Sequence, residues 1–168
     1  MSRAEQLVRS AAAVLVLLVV QTTLIPFMSV AGIVPDLLLI WVVTTALRRG
    51  QIEATVGGFL AGLLQDLVAT KFFGLAALSK TVTGFTLGYL YNENTTESTL
   101  GSYRFSALVL LAGAVHNLLY FFIFLQGAEG GIFVDVLALS AGVTLYTGVL
   151  SVLPMFAWSR RFQTAILR

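Results

Sequence analysis

Long apolar runs, separated by short polar or turn-forming stretches, divide the chain into six segments: Leu7–Phe27, Ile33–Leu47, Ala54–Ala69, Gly74–Tyr91, Phe105–Leu125 and Ile132–Trp158. A helix needs about 20 mostly apolar residues to cross a hydrocarbon core about 30 Å thick at about 1.5 Å rise per residue. Four segments meet that length. The second and third are short, and must draw on flanking residues or sit where the bilayer is thin or protein covers them. If one of the two only re-enters the membrane, five spans remain and the termini part company. The first segment follows Arg3 and Arg9, as a signal peptide would, but no small-x-small cleavage site follows in Gln21–Pro26 and more spans come after it. It reads as an uncleaved helix. The pattern therefore predicts an all-α, polytopic membrane protein with six transmembrane helices in one domain, 1–168.

Composition narrows the class. Apolar residues make up 58% of the 168 residues and charged residues 11%, with a mean hydropathy of +0.92. Soluble domains carry about 25% charge. Too little polar material is present to cover a water-facing surface, which excludes a soluble globular protein, a disordered chain and a nucleic-acid binder. The pI of 9.2 reflects a small excess, 10 Lys+Arg against 8 Asp+Glu. Cysteine is absent, so disulfides, thiolate metal sites and Cys nucleophiles are excluded.

The basic residues set an orientation. With six spans, Arg3, Arg9, Arg48, Arg49, Arg104, Arg160, Arg161 and Arg168 fall on one side, and only Lys71 lies in a loop on the other. Basic loops stay in the cytoplasm, so both termini are expected there. The polar connector Asn92–Tyr103 is then cytoplasmic, and its Asn94-Thr95-Thr96 is on the wrong side to be glycosylated.

Charges within a span are costly unless paired, wetted or near the interface. Asp36 opens the second span, Asp66 lies near the end of the third, Lys80 near the start of the fourth, and Asp135 near the start of the sixth. All four fall in the half away from the basic loops, with Gln21; His116 and Asn117 on the fifth span lie deeper. Asp66 and Lys80 flank a tight turn at roughly 4–9 Å below the same edge, which brings them within reach as a pair. Two readings follow for the set Asp36, Asp66, Lys80, His116, Asn117 and Asp135. They line an outward polar cavity or docking surface, or they are structural: an ion pair, helix-start carboxylates satisfying free N–H groups, and a hydrogen-bonded packing histidine. His116 is the sole histidine and cannot form a metal site alone.

Small residues mark packing faces. Gly58 and Gly62 in the third span, and Gly84 and Gly88 in the fourth, are each four apart and lie on one helix face, where backbones can approach closely. Gly113, His116, Asn117 and Tyr120 form a stripe on the fifth span; Ser140, Thr144, Thr147 and Ser151 form one on the sixth. No nucleophile–base set, paired metal ligands or phosphate-binding loop is present. The expectation is no catalytic residue, no metal and no cofactor.

The ordered set Pro35-Asp36-Leu37-Leu38-Leu39, Arg48-Arg49-Gly50, Gly57–Asp66, Phe73–Leu78 and Gly84–Leu90 resembles the bacterial rod shape-determining protein family MreD. The motifs cover about half of the chain; the last two spans match by hydropathy and His116. The resemblance implies a non-enzymatic scaffold of the bacterial inner membrane in the machinery that elongates the cell wall. It implies MreC as the main partner, and MreB, RodA and a penicillin-binding transpeptidase in the wider assembly; self-association into a homo-oligomer is left open. At fold level the family resembles the S-components of energy-coupling factor transporters, which implies an S-component-like bundle. The alternative function follows from that likeness: a substrate-binding subunit for a vitamin or metal ion. Pro35, Asp36, Gly58, Gly62, Asp66, Gly74, Gly84 and Gly88 are the positions that match the family pattern.

Overall fold

The computed structural model describes residues 3–30, 32–69, 73–124 and 132–166, and every regular element in them is helical. Lys71 in its turn, the loop at 126–131 and Arg168 lie outside the described residues. In chain order the helices are α1 (Arg3–Thr23), a 3₁₀ turn (Ile25–Met28), α2 (Leu37–Arg49), α3 (Gln51–Ala69), α4 (Leu75–Gly88), α5 (Thr96–Leu100), α6 (Tyr103–Phe124), α7 (Ile132–Leu150) and α8 (Val152–Ile166). Four described stretches are long and apolar enough to cross a membrane: Ala4–Thr23, Gln51–Ala69, Tyr103–Phe124 and Phe133–Arg160.

The two remaining members of the expected six are α2 with 13 residues and α4 with 14, each roughly 20 Å long at the helical rise. The short helices are therefore the second and fourth, not the second and third. The third gains length because Gly50, at φ +82°, ends α2 and allows α3 to start at once on Gln51; a residue with a Cβ resists that backbone angle. What lets α2 be short is its position. Leu38, Leu39, Val42, Val43 and Ala46 have no exposed surface, because α1, α3, α4 and α6 surround it. Its polar ends are met by protein rather than by lipid.

Three further features depart from the pattern. A short helix, α5, occupies the connector. The sixth segment is two helices: Pro154 has no N–H to give Leu150 O, and its ring crowds that carbonyl, so the helix breaks at Ser151. At the break Ser151 Oγ donates to Gly148 O at 2.6 Å and lies 3.1 Å from Ser106 Oγ of α6. Third, α3 and α4 pack with their backbones nearly touching. A Cβ placed on Gly58 would lie 2.6 Å from Lys80 O, one on Gly62 2.5 Å from Ala76 O, and one on Gly84 2.4 Å from Ala54 O; on Gly88 it would meet Gln51 Cα at 2.3 Å. The partners run backwards as the glycines run forwards, as an antiparallel hairpin requires.

The main core joins Leu39, Ile40, Val43 and Leu47 of α2 to Leu87 of α4, Leu100 of α5 and Phe105 and Val109 of α6. A second cluster holds α1 by Val14 and Leu18 against Leu38 and Ala61.

Candidate functional site

Asp36 sits at the centre of the polar residues. Its backbone is extended at φ −106°, and Oδ1 accepts the N–H of Leu39 at 2.9 Å, capping α2. Two more backbone donors at that helix start are met by side chains of other helices. Gln21 of α1 accepts the N–H of Leu37 at 2.7 Å and donates to Pro35 O at 2.8 Å. Thr147 Oγ1 of α7 accepts the N–H of Asp36 at 3.0 Å. A helix start buried in this way needs such partners, because its first N–H groups have none within the helix.

The free oxygen of Asp36 faces α4 and α6. Lys80 Nζ donates to Oδ2, and His116 Nε2 lies 3.6 Å from the same oxygen. Lys80 is fully buried, Asp36 is 6% exposed and His116 4% exposed. A charge removed from water to this extent is stable only when paired and hydrogen-bonded. Beside His116 on the same helix, Asn117 Nδ2 donates to Thr144 Oγ1 at 3.0 Å. The stripes on α6 and α7 therefore meet each other, and α1, α2, α4, α6 and α7 converge on one buried polar centre.

Asp66 is not part of that ion pair. The expected Asp66–Lys80 contact is replaced: Asp66 reaches across the α3–α4 turn, and its two oxygens accept the N–H groups of Ala76 at 3.1 Å and Ala77 at 3.0 Å. It caps α4, whose own N-cap is Gly74 and offers no side chain. Lys80 lies one turn further along α4 and turns to α2. Asp135 stands apart as well, exposed in the first turn of α7. Gly58, Gly62, Gly84 and Gly88 form the close α3–α4 face that carries Lys80 past Gly58. Asp36, Asp66, Lys80, His116 and Asn117 are all buried: Asp36, Lys80, His116 and Asn117 in the enclosed centre, and Asp66 apart from it at the start of α4. Among the described residues no three His, Asp or Glu side chains converge as metal ligands.

A sequence model of the family described as rod shape-determining protein MreD matches residues 1–162. The chain belongs to the MreD family. Curated proteins and solved structures gave no match. Membership assigns this MreD-family chain a role in rod shape determination, and its apolar helices make it a membrane protein.

A second polar group, at the other end of α2, is one that sequence reasoning did not assemble. Glu97 of α5 accepts the indole N–H of Trp158 at 3.1 Å and lies 3.7 Å from Arg48 Nη2, while the Arg48 guanidinium stands 5.4 Å from the Trp158 ring centre. Thr96 Oγ1 donates to Leu47 O at 2.8 Å, satisfying a carbonyl at the end of α2. The signal available was Thr96-Glu97 inside a connector whose one other charge is Glu93, but nothing in the sequence joins it to a tryptophan 61 positions away.

Proposed function

We propose that this MreD-family chain is a non-enzymatic scaffold in the bacterial inner membrane, with both termini cytoplasmic, that binds MreC and helps to position the enzymes of wall elongation. MreB, RodA and a penicillin-binding transpeptidase belong to the wider assembly in this reading. Family membership over residues 1–162 carries it. The polar centre supports it: the costly side chains hold helices to one another. Because that centre is enclosed, the partner's helix meets an apolar, lipid-facing surface rather than the ions. Contact between helices in lipid then depends on shape fit and small residues.

The test is co-expression with MreC and purification of the chain in mild detergent. MreC co-elutes if the reading holds, and depletion of the chain turns rods into spheres. Clean separation of the two proteins, with rod shape kept on depletion, overturns it. A transporter subunit would instead be stabilised against heat by its vitamin or metal ion.

A further inference from the structure

We propose that a groove at the Arg48 end of the bundle binds the headgroup phosphate of an anionic phospholipid, with the lipid's glycerol backbone lying along α2. The groove has a volume of about 180 Å³. One wall is α2: Trp41, Thr44, Thr45 and Arg48 fall at helical spacing and share a face. Ser10 of α1 and Trp158 of α8 close the sides. The face opposite on α2, with Leu39, Val43 and Leu47, is in the main core. The groove is thus a polar strip on a helix whose other side is wholly apolar.

Its chemistry is graded along its length. Trp41 packs at its base, beside the cluster of Val14, Leu18, Leu38 and Ala61. Thr44 and Thr45 stand one turn higher. The guanidiniums of Arg48 and Arg49 stand at the top, at the end of α2. From Trp41 to Arg48 is about 10 Å at the helical rise, the depth over which a bilayer passes from acyl chains through ester groups to phosphate. Tryptophan concentrates at that level. Arginine binds phosphate through paired N–H donors, and basic pockets between membrane helices take anionic headgroups. The volume suits a headgroup and glycerol, leaving the acyl chains in the bilayer.

Two carboxylates compete for the arginines. Glu97 lies 3.7 Å from Arg48, and Glu53 3.4 Å from Arg49. Both pairs are exposed and hold loosely. Glu97 is also anchored by the Trp158 indole, so it sits as a guard beside the site. Removing its charge frees Arg48 without removing a donor. The inference rests only on the chain spanning a membrane, and is independent of any protein partner.

Native mass spectrometry of the detergent-purified chain, given dioleoyl phosphatidylglycerol or dioleoyl phosphatidylcholine, tests it. Phosphatidylglycerol is retained preferentially. The double variant Arg48→Gln with Arg49→Gln loses that preference by about thirtyfold, the scale for two basic residues at an anionic surface. Glu97→Gln retains more phosphatidylglycerol than the parent chain, and Arg104→Gln, a basic residue outside the groove, changes nothing. Equal retention of the two lipids, or an unchanged preference in the double variant, overturns the proposal. Complete displacement of the lipid by millimolar inorganic phosphate also overturns it, by making free phosphate the ligand. Opposite shifts in the Glu97 and arginine variants separate site chemistry from a folding defect.

Discussion

Lys80→Met is the most informative single change. Methionine matches the length and flexibility of lysine but carries no charge. In the parent structure Lys80 has no exposed surface and its Nζ donates to Asp36 Oδ2. Removing one partner of a buried ion pair leaves the other uncompensated, at about 3–5 kcal/mol. The other polar neighbours of Asp36, the N–H of Leu39 and the His116 imidazole 3.6 Å from the same oxygen, stay in place, which puts the expectation at the lower end. For a domain of this length about 1 kcal/mol corresponds to about 2–4 °C in Tm, so the fall should be roughly 6–12 °C. Thermal unfolding in detergent, followed through the emission of Trp41 and Trp158, reads it. The decisive comparison is Lys80→Met combined with Asp36→Asn. Asparagine keeps the cap on Leu39 but leaves no buried carboxylate without a counter-ion, so the double variant should be more stable than Lys80→Met alone. A single variant as stable as the parent, or a double variant that loses the sum of both singles, would refute the ion-pair reasoning.

Other changes test the remaining parts. Gly84→Leu should abolish the folded bundle in size-exclusion chromatography, because even a Cβ there would stand 2.4 Å from Ala54 O; Gly57→Ala, which meets only the Trp41 ring at 3.1 Å, should elute normally. Asp66→Ala uncaps α4 and should lower stability by about 2 kcal/mol, read by chemical denaturation, whereas Asp135→Asn should stay within about 0.5 kcal/mol of the parent. Pro154→Ala restores a donor for Leu150 O, straightens the α7–α8 junction and draws Trp158 away from Glu97, which a shift in tryptophan emission would report.

The helical architecture was legible because apolar runs mark helices: the six runs coincide with α1, α2, α3, α4, α6 and the α7–α8 pair, of which four stretches are long and apolar enough to cross a membrane. Glycines four apart announced the close α3–α4 face because only a missing Cβ allows it. Pairing was harder to read. Asp66 and Lys80 are near each other along the hairpin, and proximity in sequence suggested a bond. The actual counter-ion is 44 residues from Lys80, and choosing it requires the angular positions of α2 and α4, which hydropathy does not encode. Helix caps supplied from other helices are invisible for the same reason: Asp66 serves α4, and Gln21 and Thr147 serve α2. The short α2 could be seen as a length deficit, but its central position follows only from how α1, α3, α4 and α6 pack around it.

The wide separation of Asp36 and Lys80 along the chain bears on biogenesis. As the nascent protein enters the membrane, α2 arrives with its carboxylate well before α4 brings the ammonium. A fragment ending after α3 strands a lone anion, while one ending after α4 holds both charges, with the hairpin available to present them. The buried Asp36 thus has its counter-ion only once α4 has been made, which makes α2 to α4 the smallest stretch of chain that carries both charges.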